Sequence, residues 1–280
     1  MKKADLHIHT TFSDGSLTPN EIVKWASKKK VHAIAITDHD TVEGIKATIE
    51  SAILYDIITI AGIEISCTME EEEVHILGYF IDYEDNNLLN MTKLLKESRE
   101  SRGEKIIEKL NYLGFEISLE DVYDISGTGV IGRPHIAKAM IKKEYVNTIE
   151  EAFGKYLNRN KPAYVERYKL SIEDGINLIH RAGGVAVIAH PGLVKSKKVI
   201  YEAIRLNVDG IEAIHSKHSE QDVIKYSEIG NKYNLIITGG SDFHGNYNNN
   251  VPVLGDYYID YEQVILLKKK ANSIRKGEIE

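Results

Sequence analysis

The first third of the chain alternates short apolar runs with segments of helical periodicity. The runs 4–9 and 33–37 have the length of strands, and each ends in charged or imidazole side chains. Between them, Thr18-Pro19-Asn20-Glu21 has the pattern of an N-cap, a proline at N1 and a capping-box Glu, which predicts a helix to about residue 30. This alternation predicts βα units and a largely parallel sheet. Further predicted elements are a helix over 42–54 and strands over 57–65 and 74–80.

The pattern becomes purely helical after residue 85. A long charged helix is predicted up to Gly114, and strand-like runs are missing until residue 161. We therefore predict a helical insert over 86–161, while 1–85 and 162–280 together form the main domain. Shorter helices within the insert are predicted over 119–124, 134–142 and 149–156.

Strand–helix alternation resumes after residue 162. The Asn-rich segment 245–250 is predicted to be a polar loop. The whole pattern is typical of an α/β fold, either a β/α barrel or a doubly wound sheet, interrupted once by the insert. The predicted elements of this half are helices over 171–181, 199–206, 220–233 and 264–275 and strands over 185–189, 210–214 and 235–239.

Composition and charge narrow the classes of protein to consider. With 280 residues, 42% hydrophobic and 28% charged, the chain has an ordinary globular composition. The single cysteine, Cys67, excludes a disulfide framework and fits a reducing cytosol. No apolar leader follows Met1, and the apolar runs are shorter than the ~18 residues that span a bilayer, so we expect a cytoplasmic protein without membrane contact.

The net charge of −7 argues against a general nucleic-acid-binding surface. A phosphorylated substrate stays compatible, because metal ions supply positive charge locally. No protein partner is inferred.

Imidazole and carboxylate side chains concentrate at the ends of the predicted strands. His7 and His9 are two residues apart in a strand, so they share a face and can converge on one cation. Because the carboxyl ends of barrel strands share one face, we expect a single pocket there. Imidazole and carboxylate without thiolate suit Zn, Mn or Fe, and bridging carboxylates hold ions about 3.5–4 Å apart. The candidate residues are His7, His9, Asp14, Asp38, His39, Asp40, Glu64, His75, His190, Asp242 and His244.

Each of these residues also has an ordinary structural explanation. The segment Asp38-His39-Asp40 could cap the helix that opens near Thr41, and a strand-end histidine could be a satisfied rim residue. His215 is interpreted as a rim histidine and Cys67 as a core residue. Repeated placement at strand ends is hard to explain by caps and rim residues, and it favours a metal centre.

The motifs resemble those of the polymerase-and-histidinol-phosphatase (PHP) superfamily of metal-dependent phosphoesterases. They occur in the family's order and span nearly the whole chain. The insert with Gly132-Arg133-Pro134-His135, together with Gly210-Ile211-Glu212 and Ser216-Lys217-His218-Ser219, is similar to bacterial nucleoside 3′,5′-bisphosphate phosphatases and 5′-nucleotidase-like enzymes. The matching motifs are Asp5-Leu6-His7-Ile8-His9-Thr10, Ser13-Asp14-Gly15, Thr37-Asp38-His39-Asp40, Gly62-Ile63-Glu64, Val74-His75, Ala189-His190-Pro191-Gly192 and Ser241-Asp242-Phe243-His244.

The resemblance implies a distorted seven-stranded (β/α) barrel that binds two or three divalent ions, with Mn favoured over Zn or Fe. It implies hydrolysis of a nucleotide phosphomonoester by a metal-activated water. The implied ligand sets are His7, His9, Glu64 and Asp242 for one ion, Asp14, His39 and His244 for a second, and Glu64, His75 and His190 for a third. The implied substrate-phosphate contacts are Arg133, His135 and His218, with Arg133 on an insert that serves as a lid. The implied catalytic residues are His190, His218 and Asp242, with His190 or His218 protonating the leaving oxygen.

Three other functions stay open at this point. Some relatives act as 5′ to 3′ exonucleases on short 5′-phosphorylated oligonucleotides, and others hydrolyse histidinol phosphate. Polymerase-associated domains of this superfamily have become non-enzymatic, metal-stabilised scaffolds. Those scaffolds typically have eroded ligands, whereas every metal position is filled in this sequence.

Overall fold

The computed structural model describes residues 2–70, 72–126, 131–166 and 168–277. A mixed sheet forms the centre, and its main strands follow the apolar runs of the sequence. A separate hairpin lies near the carboxyl end. The strands are β1 Lys3–Ile8, β2 Val31–Ile36, β3 Ile58–Met69, β4 Glu72–Tyr79, β5 Leu170–Ser171, β6 Val185–Ile188, β7 Gly210–His215, β8 Ile236–Gly240, β9 Tyr247–Asn248, β10 Val251–Pro252 and β11 Ile259–Asp260.

The helices cover the sheet and build the insert. No helix in the described part of the chain is long and apolar enough to cross a bilayer. The helices are α1 Pro19–Lys28, α2 Glu43–Ala52, α3 Asn86–Tyr112, α4 Leu119–Ser126, α5 Arg133–Lys142, α6 Ile149–Ala152, α7 Ile172–Arg181, α8 Lys198–Arg205, α9 Glu220–Lys232 and α10 Tyr261–Arg275.

The sheet curves into a nearly closed barrel. Its seven principal strands follow the order β1-β2-β3-β4-β6-β7-β8, while the two-residue strands β5 and β11 pair with β3 and β1. Closure occurs just beyond β1 and β8, where the N–H of His9 donates to the carbonyl of Phe243 at 3.0 Å. The prediction of a distorted (β/α) barrel is therefore confirmed, and the doubly wound alternative is wrong.

Strand β4 runs opposite to its neighbours. It pairs antiparallel with β3 and with β6, whereas the other neighbouring principal strands pair in parallel. The beginning of β4 therefore lies at the end of the barrel where the parallel strands finish. This reversal places His75, near the start of β4, beside Ser66 of β3 and close to the carboxyl-terminal strand ends.

Helix α3 connects the barrel with the helical segment that follows it. Leu88 and Leu95, in its first half, belong to the barrel core, whereas Ile106 and Leu110 belong to a second apolar cluster. That second cluster is built from side chains of α3, α4, α5, α6 and the segment up to Val165. The segment therefore has its own apolar core, and it is joined to the barrel through one long helix.

Two local predictions from the sequence have opposite outcomes. The capping box of α1 is confirmed, since Glu21 Oε2 accepts from the N–H of Thr18 at 2.9 Å while the Glu21 N–H donates to Thr18 Oγ1 at 3.4 Å. The prediction of a plain polar loop over 245–250 is wrong, because β9 and β10 form a short hairpin there. Its turn residues Asn249 and Asn250 have φ of 49° and 63°, a conformation that consecutive asparagines adopt readily in tight hairpins.

Gly175 marks a close approach of α7 to the barrel. A Cβ at this position would lie 2.4 Å from Cys67 Sγ. We expect Gly175→Ala to destabilise the protein by about 1–2 kcal/mol, because overpacking outweighs the gain in helix propensity. Urea unfolding measures the change. The double variant Gly175→Ala/Cys67→Ala removes the sulfur and should recover most of the loss; a fully stable Gly175→Ala protein would show that the two elements separate freely.

Candidate metal centre

Glu64 occupies the middle of the strand-end pocket. It lies in β3, and its side chain is almost completely buried. Strand alternation directs it into the barrel opening, where both carboxylate oxygens face imidazole nitrogens. The family resemblance places Glu64 in two ligand sets, and this geometry gives that shared membership a basis. The nitrogens around it are His75 Nδ1 at 2.8 Å and His190 Nε2 at 2.9 Å from Oε1, and His7 Nε2, His9 Nε2 and His39 Nδ1 at 3.2 Å from Oε2.

Two aspartates complete the pocket opposite Glu64. Asp242 Oδ1 lies 3.3 Å from the Nε2 atoms of His7 and His9 and 3.4 Å from His244 Nδ1. Asp14 Oδ1 lies 3.2 Å from His244 Nε2 and 3.7 Å from His9 Nδ1. The pair His7 and His9 at the end of β1 therefore meets the pair Asp242 and His244 after β8, and the two pairs share carboxylate contacts.

The structure brings together all nine residues that the sequence proposed as metal ligands. Eight of the nine contribute donor atoms to groups in which every atom lies within 4.8 Å of the others. Two of the implied ligand sets are recovered in full: the set with His7 is itself one of these groups, and the set with Asp14 is contained in another. Of the last implied set, Glu64 and His75 share a group, and His190 contacts that group through Glu64. The groups are His7, His9, Glu64 and Asp242; His9, Asp14, His39 and His244; His39, Glu64 and His75; and His7, Glu212 and His215.

The spacing and hydrogen bonding of these atoms fit bound cations. Donors that each lie about 2.0–2.2 Å from one ion are roughly 2.8–3.6 Å apart at usual coordination angles, and most distances in the centre fall in that range. Both ring nitrogens of His9, and Nδ1 of His39, are buried and have no hydrogen bond among the described residues. Leaving such atoms unpaired costs about 1–3 kcal/mol each, a penalty that coordination removes. The donor set, imidazole and carboxylate, suits divalent ions.

Glu212 supports the centre and was not among the predicted site residues. It is fully buried in β7, its Oε1 lies 2.9 Å from His7 Nδ1, and its Oε2 accepts the backbone N–H of His190 at 2.7 Å. A carboxylate on Nδ1 leaves Nε2 of His7 available to a metal and fixes the ring orientation. The sequence signal that could have identified Glu212 as a site residue was its position inside a buried strand, because a buried carboxylate requires hydrogen-bonding or charged partners.

His215 is the second such residue, and its interpretation as a rim histidine is wrong. It is 1% exposed, with Nε2 3.2 Å from Asp242 Oδ2, and its Nδ1 accepts the N–H of Lys217 at 3.1 Å. That acceptor role places the ring proton on Nε2, facing the aspartate. The register of β7 shifts between Glu212 and Ile214, which turns His215 into the barrel as well.

The aspartates on either side of His39 hold backbone and neighbouring helices. Asp38 accepts from both the N–H and the hydroxyl of Thr10 at 2.7 Å, and Asp40 Oδ2 accepts from Arg99 Nε at 2.8 Å. The alternative that this segment caps α2 is wrong, since the N-cap of α2 is Val42. Asp38 therefore supports the loop after β1, and Asp40 joins the metal face to α3.

Arg133 and His135 lie at the N-terminus of α5, away from direct contact with the nine candidate ligands. Arg133 Nη2 is 3.8 Å from Glu73 Oε2, and Glu73 Oε1 is in turn 3.5 Å from His75 Nε2. His135 is buried, and its Nδ1 accepts the N–H of Gly132 at 3.2 Å. Burial lowers the pKa of His135 to about 4, so the ring is neutral with its proton on Nε2.

His218 uses both of its ring nitrogens within the fold. Nδ1 donates to the carbonyl of Ala213 at 2.8 Å, and Nε2 accepts the N–H of Gly192 at 3.1 Å. Burial lowers the pKa of this imidazole. In this arrangement neither nitrogen presents a proton to the cleft, so the ring holds the Pro191-Gly192 loop that follows His190.

The histidines of the metal-free centre have widely different pKa values. Burial lowers the pKa of His75, but the charge of Glu64 outweighs it and raises the pKa to about 9. Burial also opposes protonation of His244, yet Asp14 and Asp242 raise its pKa to about 10. For His39 burial prevails, and its pKa falls to about 3. At neutral pH the centre therefore holds protons that compete with cations.

Metal binding is consequently expected to release protons. At pH 7.5, His75 and His244 are protonated, as is His7, whose pKa the carboxylates around it raise despite its burial. Coordination requires neutral imidazole, so we expect about two to three protons to be released per protein and metal affinity to rise with pH up to about 10, the pKa of His244. Titration calorimetry with Mn²⁺ in buffers of different ionisation enthalpy counts the protons. A proton count of zero would contradict binding at these imidazoles.

A cleft of 1240 Å³ opens beside the centre, between the β3–β4 hairpin, the insert and the segment after His190. Lys169 Nζ lies 2.8 Å from Glu73 Oε2, the oxygen that also faces Arg133. Cations, carboxylates and aromatic rings share the walls, so the cleft suits a ligand that is both anionic and aromatic. Its charged and aromatic lining residues are Arg133, Arg159, Lys169, Lys195, Glu70, Glu72, Glu73, Glu166, Tyr164 and Tyr168.

Comparison with known proteins gives a consistent result. The family model described as the PHP domain matches residues 5–218. A 5′-3′ exoribonuclease Rnm of Salmonella typhimurium is 33% identical over 86% of this chain and 84% of its own. A 3′,5′-nucleoside bisphosphate phosphatase of Chromobacterium violaceum is 32% identical over 87% of this chain and 88% of its own. A crystal structure from Bifidobacterium adolescentis, assigned as a metal-dependent phosphoesterase, superimposes with a TM-score of 0.87 at 29% identity, covering 95% of this chain and 96% of that one.

Proposed function

Because this chain belongs to the PHP family of metal-dependent phosphoesterases, we propose that it removes a phosphate group from a nucleotide, either a nucleoside 3′,5′-bisphosphate or an AMP-like monophosphate. The observation that carries this proposal is the lining of the cleft. Cationic side chains, among them Arg133 and Lys169, stand beside Tyr164 and Tyr168 next to the metal centre. A nucleotide offers both an anionic group for the cations and a flat base for the rings.

We assign the nine clustered residues to two or three divalent ions. Imidazole and carboxylate donors without thiolate suit Mn, Zn or Fe, and the family resemblance favours Mn among them. Bound divalent ions lower the pKa of water and neutralise charge on a phosphoryl group. Asp242 and His190 serve as ligands in this assignment. We propose a cytoplasmic location, because the sequence has a single cysteine, the buried Cys67, and such a composition fits a reducing compartment.

The residues of the cleft orient the substrate. Arg133 and Lys169 both face Glu73, so an anionic group of the substrate competes with that carboxylate for them. The neutral ring of His135 offers an Nε2 proton as a hydrogen-bond donor to phosphate. His218 holds the loop after His190 in place through both ring nitrogens. Its roles as a substrate-phosphate contact and as the group that protonates the leaving oxygen stay predictions. Arg133 stands on the insert, and we propose that the insert, 86–161, serves as the lid.

A second candidate is 5′ to 3′ exonuclease action on short 5′-phosphorylated oligonucleotides. It is favoured by the size of the cleft, 1240 Å³, which exceeds the roughly 300–1,000 Å³ of ordinary small-ligand pockets. A second and third nucleotide could occupy the remaining space. Hydrolysis would then release mononucleotides from the 5′ end.

The deciding experiment measures product release from four substrates, with Mn²⁺ and after chelation. They are adenosine 3′,5′-bisphosphate, AMP, histidinol phosphate and a 5′-phosphorylated oligoribonucleotide. We expect metal-dependent phosphate release with a preference for the bisphosphate or AMP. Mononucleotides from the oligomer would favour the exonuclease, and histidinol phosphate as the best substrate would overturn the nucleotide assignment. Metal binding without turnover of any substrate would leave the scaffold interpretation.

The role of Arg133 gives a separate prediction. Loss of a charged hydrogen bond costs about 1.5–3 kcal/mol, so Arg133→Ala should raise KM for the bisphosphate by roughly 10- to 150-fold. AMP, which lacks the second phosphate, should be affected much less. Steady-state kinetics on both substrates measure the difference. Arg205→Ala removes an exposed arginine that pairs with Glu202 and should change neither KM. Equal effects of Arg133→Ala on both substrates would assign Arg133 to the reacting phosphate instead.

A further inference from the structure

A second concave surface lies on the outside of the barrel, between α8 and α9. This groove of 350 Å³ carries three lysines and two tyrosines on its walls. The rings of Tyr201 and Tyr233 lie 6.2 Å apart at 70° to each other, and Tyr201 is 50% exposed. The groove therefore offers aromatic faces to solvent between cations. Its lining residues are Lys197, Ile200, Tyr201, Lys225, Glu228, Ile229, Lys232 and Tyr233.

The charge of the groove is unbalanced. Three lysines face a single carboxylate, that of Glu228, although the chain as a whole carries a net charge of −7. Within the described residues, no carboxylate lies within ion-pair distance of Lys197, Lys225 or Lys232. Lys225 and Lys232 instead lie over the rings of Tyr226 and Tyr233, at 4.4 and 5.3 Å from the ring centroids. The groove is thus a local cationic and aromatic patch on an acidic protein.

The groove continues the cleft of the metal centre. Lys195 lines the cleft and Lys197 lines the groove, so a single residue of one loop, Ser196, lies between them, and their Cα atoms are at most about 7 Å apart. Glu72 fixes this loop by accepting the backbone N–H groups of Lys195 and Ser196. The lysine side chains therefore project from a loop whose backbone is held from the barrel side.

A second connection runs through α9. Lys225 Nζ donates to the hydroxyl of Tyr226 at 3.0 Å, and that hydroxyl donates to the carbonyl of Pro191 at 3.1 Å. The Tyr226 ring lies 5.2 Å from the ring of His218, which holds the same loop. The groove thus lies directly behind the loop that follows His190.

We propose that this groove binds the downstream nucleotides of a single-stranded oligonucleotide whose 5′ end lies at the metal centre. Single-stranded nucleic acid is bound by aromatic side chains on which bases stack and by cations that follow the backbone, the two features that the groove combines. A mononucleotide in the cleft does not reach it. The proposal rests on the proposed function in one respect, namely that nucleotides with a 5′ phosphate occupy the metal centre.

The test compares two groove variants with matched controls. Lys197→Glu/Lys232→Glu reverses the charge, and Tyr201→Ala/Tyr233→Ala removes the rings. The controls are Lys268→Glu/Lys269→Glu, an exposed lysine pair on α10, and Tyr112→Ala, a 92% exposed tyrosine on α3. Affinity for a fluorescein-labelled 5′-phosphorylated 12-mer is measured by anisotropy on chelated protein, which needs no catalysis. Turnover of the 12-mer and of AMP is measured with Mn²⁺.

We expect each groove variant to weaken 12-mer binding by roughly tenfold, the tyrosine variant through lost stacking and the lysine variant through lost attraction to the nucleic-acid backbone. AMP turnover should stay within about twofold. The controls should match the unaltered protein. Unchanged 12-mer affinity in both groove variants would overturn the proposal, as would equally tight binding of a polyglutamate peptide, which would assign an acidic protein segment to the groove. Groove-dependent 12-mer binding by a protein that hydrolyses none of the substrates would uphold the groove and overturn the proposed function.

Discussion

The substitution Glu64→Gln is expected to lower phosphate release by about a thousandfold, at the upper end of what removal of one charged active-site group costs. Glu64 places its two oxygens 2.8–3.2 Å from five imidazole nitrogens, so it takes part in two of the groups that fit a cation and joins His190 to them. Glutamine keeps the shape but loses the charge and one acceptor. We therefore expect metal content, measured by mass spectrometry after dialysis against Mn²⁺, to fall with activity.

The control for this substitution is Glu50→Gln, on the exposed face of α2. It makes the same chemical change away from the pocket and should leave rate and metal content unaltered. Full metal content together with full activity in Glu64→Gln would remove Glu64 from the ligand set. Full metal content with lost activity would assign it to the reaction without a role in metal retention.

Asp242→Ala is expected to reduce activity by about a hundredfold or more and also to weaken the fold. Its carboxylate faces His7, His9 and His244. Burial opposes ionisation, but the charges of His244 and His7 lower the pKa of Asp242 well below its usual value. Asp242 also has a φ of 50°, where alanine costs about 1–2 kcal/mol. Steady-state kinetics and urea unfolding measure the two effects separately.

Two further variants separate chemistry from backbone strain at this position. Asp242→Asn retains a residue that tolerates positive φ, so it should lose activity with a smaller loss of stability. Asp56→Ala places alanine at an exposed aspartate whose φ, 52°, is also positive, and it should lose stability without losing activity. Normal turnover by either Asp242 variant would contradict the assignment of this carboxylate to the metal centre.

Much of the candidate site could be predicted because strand alternation and barrel topology direct side chains without detailed packing information. His7 and His9, two residues apart at a strand end, needed only the period of a β-strand and the rule that barrel strands finish at one face. Asp242 and His244 were found from the same spacing after β8, although the backbone there is not an extended strand, since Asp242 has a φ of 50°. Where the backbone is a regular strand, residues two apart in the sequence lie on the same face and close together.

The residues that were missed lie where that regularity fails. Strict alternation would direct Glu212 and His215 to opposite faces of β7, but the register shift between them brings both to the metal centre. The bond between Arg99 and Asp40 joins residues 59 positions apart and depends on how α3 crosses the barrel. Neither a bulge nor a helix crossing leaves a periodic signal in one sequence.

Helix α3 has a mechanical consequence that follows from the reversal of β4. Because β4 ends at the far side of the barrel, the chain must return to the metal face, and the 27 residues of α3 provide about 40 Å for this. Leu88 and Leu95 fix its first half in the barrel, and Arg99 bonds Asp40 at the metal face. The helix continues for about 20 Å beyond Arg99 to Tyr112, within the insert. A rotation of α3 by about 10° about Arg99 therefore displaces the far end of the helix by roughly 3 Å. Arg99 is bonded to Asp40, the residue after the candidate ligand His39, so the helix pivots next to the metal centre.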